Sequence, residues 1–316
     1  MLNRAYGCLA GAAIGDAMGA PFCFLTREQI KETYGYIDDF PESGAEITDD
    51  TQETMIVAEV LIENGRFNDE AFGAAMRKWA LEKNMLESEL IGPSTEKYLR
   101  ALIAGEDTRE GAKTADTNGS AMRAAPIGIR YNGDFFLCRE AAAASSFPSH
   151  GSAPAVAAAC AVACACAAGV RGGFSVRQVI SEAILAAEYG ETVGFCIPAP
   201  KISKRIALAA DIVDKNREKG MGAVLDELVG VLGAGMKSYE SVPLSLGVFY
   251  AAEGRVREGI LAAINAGDDA DTNGSICGAI CGAYSGAGAL PESWIRRVEN
   301  RSGVDLKKTA SLLLKK

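Results

Sequence analysis

Apolar residues return at three- and four-residue spacing through most of this chain, the pattern of one-sided helices rather than of strands. Seven segments carry it: TQETMIVAEVLIENG from Thr51, DEAFGAAMRKWALEKN from Asp69, EKYLRALIAG from Glu96, APAVAAACAVACACAAG from Ala153, VRQVISEAILAAEYG from Val176, MGAVLDELVGVLGAG from Met221 and VREGILAAINAG from Val256. Most end at Gly or Asn, the residues that stop helices. Alternating β-branched runs joined by hairpin turns are scarce. No linker rich in Ser, Pro or Gly and no fixed repeat period divides the sequence. The pattern predicts an all-α fold, one compact multi-helix domain over residues 1–316.

Two stripes of glycine refine this expectation. Gly7, Gly11, Gly15 and Gly19 fall every fourth residue, and so do Gly274, Gly278, Gly282 and Gly286. Glycine within a helix costs about 1 kcal/mol relative to alanine, so two such ladders need a packing reason. Close helix approach supplies it: the two helices are expected at the centre of the domain, with chain start and chain end brought together. The uncharged run Ala153–Val170 has the length of a marginal membrane span, but it is mostly Ala and Cys. Alanine supplies little transfer energy, which favours a buried central helix and no membrane partner.

Composition narrows the partners. A net charge of -9 and a pI near 4.9 argue against a nucleic-acid backbone and leave room for a cation. Asp16 interrupts the N-terminal apolar stretch before a signal-peptide core can form, so no secretory leader is expected. Nine cysteines, an odd number set in apolar runs, point to a reducing, cytoplasmic setting. Cys160, Cys164 and Cys166 lack a second cysteine pair or a nearby histidine, so buried thiols fit better than a zinc site. Oligomeric state is left open.

The chemistry gathers before helix starts. In ITDDTQETM, Thr48, Asp49, Asp50 and Thr51 precede an amphipathic segment; Glu53, three residues after Asp50, makes helix capping the simplest account. In GDDADT, Asp268, Asp269, Asp271 and Thr272 precede the second glycine ladder. Capping needs one acceptor, and carboxylates that close repel unless a cation lies among them. Together the two loops offer oxygen ligands without His or Cys, a set that selects Mg²⁺, Mn²⁺ or Ca²⁺ and has room for two ions. The spacing does not match an EF-hand.

The letters DTNGS occur twice, at Asp116–Ser120 and Asp271–Ser275. In the first copy Thr117, Asn118, Gly119 and Ser120 offer small side chains and backbone N–H groups for phosphate or sugar oxygens. In the second, Asp271 and Thr272 would hold metal. Two similar helix starts with no shared task remain the alternative. His150, the sole histidine, lies in a loop before a small-residue helix, either as a capping or core residue or as a ligand contact.

These motifs, in this order, give the chain a resemblance to the ADP-ribosylglycohydrolase family: GCLAGAAIGDAMGAPF, TDDTQ at Thr48–Gln52, TNGSAMRAAPIG at Thr117–Gly128, SH at Ser149–His150, and NAGDDADTNGSICGAICGAYSGAGALPESW near the end. The resemblance implies an all-α domain with a binuclear Mg²⁺ or Mn²⁺ centre that hydrolyses bonds at the anomeric carbon of an ADP-ribosyl group. It assigns metal-ligand roles to Thr48, Asp49, Asp50, Asp269, Asp271 and Thr272. Ligand contacts fall to Asp116, Thr117, Asn118, Gly119, Ser120 and His150, and the sequence departs from the pattern in three places. Cys23 stands where active members usually carry a Glu, TNG replaces the usual GNG, and GDDAD the usual GGDTD. Asp49 or Asp50 is then the candidate base, and Glu28 and Glu46 are the acids near enough in sequence to stand in for the missing Glu. The function expected is metal-dependent hydrolysis of a glycosidic bond in an ADP-ribosyl compound, or in a smaller ribosyl or nucleoside-like metabolite. A non-catalytic ADP-ribose or nucleotide binder and a metal-dependent phosphohydrolase are the rivals.

Overall fold

The computed structural model describes residues 1–41, 46–88 and 90–315. Among these residues the chain forms eighteen α-helices and no strand, and the isolated β-bridges pair Thr26 with Gly267, Thr117 with Lys237 and Ser152 with Phe195. The seven periodic segments all lie in helices: Asp49–Asn64, Asp69–Glu82, Pro93–Ala104, Ala153–Arg171, Val176–Val193, Met221–Leu232 and Val256–Ile264. Several starts are fixed by side-chain caps. Ser175 and Gln178 form a reciprocal capping box, and Ser152 caps the alanine-rich helix.

The glycine ladders face one another. Helix Leu2–Gly19 runs antiparallel to helix Ala270–Ser285, with Gly7 against Gly282, Gly11 against Gly278 and Gly15 against Gly274. A Cβ added to Gly11 would lie 2.1 Å from the Gly278 carbonyl oxygen, and one added to Gly278 would lie 2.1 Å from that of Gly11. No side chain larger than hydrogen fits this seam, which is the packing reason the ladders required. The antiparallel register sets the C-terminal end of the first helix beside the acidic start of the second: a Cβ on Gly19 would meet the Ala270 carbonyl oxygen at 2.4 Å.

Helix Ala153–Arg171 packs beside this pair, with Gly169 against Ala283, and is apolar and long enough to cross a membrane. Its most apolar window is 94% buried inside the protein, so it is a core helix here. Helices Ile202–Asn216 and Ser238–Ala251 lie outside the seven periodic segments. The second holds Pro243, which removes one helical N–H donor from a helix that is buried from Ser241 to Tyr250.

Candidate metal and ligand site

The two acidic helix starts meet at the open end of the glycine seam. A cavity of about 330 Å³ there is lined by Thr48, Asp49 and Asp50 from one, and by Asp269, Asp271 and Thr272 from the other. Thr117, Asn118 and Gly119 form a further wall. The Thr272 hydroxyl lies 3.4 Å from Asp50 Oδ1, and Asn118 Nδ2 donates to Asp269 Oδ2 at 2.6 Å. Residues from three distant parts of the sequence thus share one floor.

Thr48 caps helix Asp49–Asn64, its hydroxyl accepting from the Asp50 N–H at 3.2 Å. The expected capping role of Glu53 is not what the structure shows. Glu53 turns inward, fully buried, to pair with the equally buried Arg123. Arg123 in turn donates to Ser149 Oγ at 2.7 Å and stacks over Phe72. A pair this deep would be costly without such additional partners.

Asp16 is a site residue that the pattern did not single out. It is completely buried and accepts from the Thr48 N–H at 3.1 Å, the Thr48 hydroxyl at 2.7 Å, the Thr51 N–H at 3.1 Å and the Thr51 hydroxyl. It clamps the first acidic loop to the glycine helix. The signal was present in the sequence as a lone carboxylate near the end of a helical stretch that is uncharged from Ala5 to Gly15.

The floor is under electrostatic strain. Burial pushes Asp269 up to about 8, with the Asp271 charge adding to it while Asn118 and Thr272 pull it back. Asp16 is pushed up to about 7, again chiefly by burial, against the hydroxyl donors of Thr51 and Thr48. Burial followed by neighbouring carboxylates drives Asp49 and Asp50 well above the ordinary range, and burial raises Asp271. Asp50 Oδ2 is buried with no hydrogen-bond partner. These carboxylates, with two threonine hydroxyls, are the hard-oxygen donor set that suits Mg²⁺ or Mn²⁺, and a cation is what would relieve their repulsion. Among the described residues no three His, Cys, Asp or Glu side chains are already gathered into a metal-holding arrangement. The donor chemistry and the orphaned oxygen fit an ion; the cage is not preformed.

Three residues expected to touch ligand stand back from the cavity. His150 is fully buried behind the wall, with Nε2 3.1 Å from the Thr117 hydroxyl and Nδ1 2.8 Å from Ser149 Oγ. Burial, then the nearby Arg123, holds it well below its usual range, so it is a neutral strut for Thr117. Its ring fills the space beneath Gly119, where an added Cβ would come within 2.8 Å of it. Ser120, also fully buried, accepts from Ser146 Oγ at 2.7 Å. Asp116 binds Lys237 at 2.7 Å, so its charge is met by lysine rather than left facing a ligand.

Cys23 does line the cavity, its thiol 3.8 Å from the Gly19 carbonyl oxygen and close enough to Asp271 for each group to shift the other. Burial and then the Asp271 charge push that thiol far up, leaving a neutral donor. Neither candidate substitute acid is in place: Glu28 is exposed, and Glu46 is exposed and pairs with Arg301 at 3.2 Å. The segment behind Cys23 is tied to the second acidic loop, with Phe24 N–H donating to the Asp268 carbonyl and Asp268 N–H to that of Leu25, both at 2.7 Å.

Comparison with known proteins places this geometry. The chain is 33% identical to an uncharacterized protein of Archaeoglobus fulgidus over 95% of its length and 93% of the relative's. It is 29% identical to YegU of Escherichia coli over 99% and 97% of the two chains. An ADP-ribosylarginine hydrolase Tri1 of Pseudomonas putida matches at 25% identity over 94% of this chain and 74% of the relative. A solved structure described as an ADP-ribosylglycohydrolase-related protein complex shares the fold at TM-score 0.70 and 23% identity, covering 99% of this chain and 98% of that one. The model of one family, ADP-ribosylglycohydrolase, matches residues 1–316 from end to end, and with the antiparallel glycine helices and paired acidic loops in place the chain belongs to that family.

Proposed function

We propose that the protein is a metal-dependent hydrolase that cleaves the glycosidic bond at the anomeric carbon of a ribosyl group, borne by an ADP-ribosyl compound or a smaller riboside. The observation that carries this reading is the convergence of Asp49, Asp50, Asp269 and Asp271 with two threonine hydroxyls on one cavity floor. Thr48, Asp49, Asp50, Asp269, Asp271 and Thr272 would hold two Mg²⁺ or Mn²⁺ ions. When bound, such ions supply Lewis-acid polarisation of water and of sugar hydroxyls.

The remaining work falls to the chain. Asp49 or Asp50, each held well above the ordinary carboxylate range first by burial and then by neighbouring carboxylates, takes the proton of the attacking water. The carboxylates around the anomeric carbon favour the positive character that develops there as the bond breaks. Asn118 orients Asp269, and the buried His150 fixes Thr117 so that the opposite wall holds its shape. Nine free cysteines suit a reducing, cytoplasmic location for this enzyme.

Mass spectrometry of products from ADP-ribosyl-arginine, ADP-ribosyl-serine peptide and a ribonucleoside mixture, each with Mg²⁺ or with EDTA, tests the reading. Release of a free anomeric hydroxyl only with metal is the expected result. Release of phosphate instead would assign phosphohydrolysis. The Cys23 thiol beside Asp271 favours one rival, a binder without turnover: ligand would then raise the melting temperature while every bond stays intact.

A further inference from the structure

We infer that Arg123, acting through Ser149 and His150, sets the direction of the hydrogen bond at Thr117, so that the Thr117 hydroxyl donates into the cavity and selects a ligand oxygen that accepts. The inference rests on the hydrolase reading of the same site and adds Arg123 and Ser149 to it as positioning residues.

These side chains form one hydrogen-bonded line through the cavity wall. Arg123 Nη2 donates to Ser149 Oγ at 2.7 Å, Ser149 Oγ lies 2.8 Å from His150 Nδ1, and His150 Nε2 lies 3.1 Å from Thr117 Oγ1. Arg123, Ser149 and His150 are buried, whereas Thr117 lines the cavity. The line has little freedom to rearrange. Glu53 holds another arm of the guanidinium, and the Phe72 ring stacks on it with its centre 4.9 Å away. The His150 N–H donates to the Ser146 carbonyl at 2.7 Å and the Ser146 hydroxyl to the His150 carbonyl at 2.8 Å, which fixes the backbone that carries the ring.

The protons give this line a direction. A guanidinium can only donate, so Ser149 Oγ accepts at that end and has one proton of its own to place. Among the described residues His150 Nδ1 is the protein acceptor within its reach. The neutral imidazole then carries its proton on Nε2 and gives it to Thr117 Oγ1. That oxygen is bonded to no other protein group among the described residues, so the Thr117 proton is free for the cavity. The reverse arrangement, with the ring proton on Nδ1, leaves the Ser149 proton without a protein partner and aims an N–H dipole toward a buried guanidinium.

The hydroxyl at the end of the line belongs to this sequence rather than to the common pattern, because Thr117 stands where the family usually has glycine. Beside it the N–H groups of Gly119 and Ser120 meet no protein acceptor among the described residues, so a donating hydroxyl adds to donors already present on this wall. An oxygen that accepts satisfies them, as an ionised phosphate oxygen or a sugar oxygen does, whereas an amine or amide N–H presented here would meet donors.

His150 is the sole histidine, so proton–nitrogen correlation NMR of its ring reads the tautomer without interference. The expected form has the proton on Nε2; a proton on Nδ1 overturns the inference. Ser149→Ala leaves Nδ1 without a donor, so the ring no longer distinguishes its two forms and both should appear. An unchanged tautomer in that variant overturns the role of Arg123 and Ser149, since a merely structural serine would leave it as it was. Calorimetry of the Mg²⁺-loaded protein supplies the ligand arm: Thr117→Val should weaken ADP-ribose about tenfold and Thr117→Ser should restore it to within about twofold. Loss for ADP-ribose but not for ribose places the accepting oxygen on the diphosphate, and equal loss places it on the sugar. Undiminished binding of both by Thr117→Val overturns the donation. A parent protein that binds no ADP-ribose strikes the ADP-ribosyl reading instead, and the tautomer still decides the inference.

Discussion

Asn118 Nδ2 donates to Asp269 Oδ2 at 2.6 Å, joining the first DTNGS loop to the acidic segment that leads into the second. The two copies of the motif therefore meet, though their asparagines differ in task. Asn118 lines the cavity, whereas Asn273 is fully buried and donates to the Ala234 carbonyl at 2.7 Å. Asn118→Ala removes the donor that offsets the Asp269 charge. It should cost about 1 kcal/mol in urea denaturation and weaken Mg²⁺ binding in calorimetry, and unchanged Mg²⁺ affinity would separate Asp269 from the metal role.

The glycine seam predicts a contrast between two chemically identical substitutions. Gly11→Ala drives a methyl group into the Gly278 backbone, which cannot rotate away, and should cost about 3 kcal/mol. Gly230→Ala, within helix Met221–Leu232 with nothing inside 4 Å of the added carbon, should stabilise by about 1 kcal/mol. Chemical denaturation of the pair decides whether the close approach is real, since equal effects would mean that the seam yields.

Acidity gives a third test. Asp16 and Asp269 are raised from 3.8 to about 7 and about 8, so the folded protein binds more protons than the unfolded chain between these values. Their stabilising contribution is present at low pH, falls as pH rises from about 4, and is gone above 8. His150 is lowered and acts oppositely, but only below its ordinary value of 6.5. Metal-free protein should therefore melt at a higher temperature at pH 6.5 than at pH 8.5, and Asp269→Asn should shrink the difference. Added Mg²⁺ should raise the melting temperature most at the alkaline end, where the carboxylates are free to bind it.

Cys23→Glu tests the departure from the family pattern. A carboxylate beside Asp271 adds an oxygen donor where the thiol offers only a proton. Mg²⁺ affinity should rise about tenfold in calorimetry, while the metal-free variant should melt lower than the parent because one more negative charge joins the cluster. A variant that gains no Mg²⁺ affinity would show that the position does not reach the ion.

What could be read in the sequence followed from repetition and from proximity along the chain. The glycine ladders were legible because four helix-weakening residues at one helical spacing are tolerated only where backbones must touch, and the acidic loops because their carboxylates are crowded within a few residues. Asp16 was not, since a single carboxylate gains meaning only once Thr48 and Thr51 are folded onto it. Glu53 read as a capping residue, because nothing along the chain shows that packing buries it against Arg123. Helix Ser238–Ala251 was hidden by its proline, and the apolar part of the cavity lining by the distance along the chain between Phe24, Leu90 and Met236.

The antiparallel seam also has a consequence for how the molecule is made. Helix Leu2–Gly19 leaves the ribosome long before the surface that covers its glycines, which arrives only with residues 270–285. Until then an apolar, glycine-rich helix has no partner, and half of the acidic floor does not exist. The nascent chain must wait, exposed to proteases and to chaperones, and a prematurely terminated product retains neither the seam nor the site.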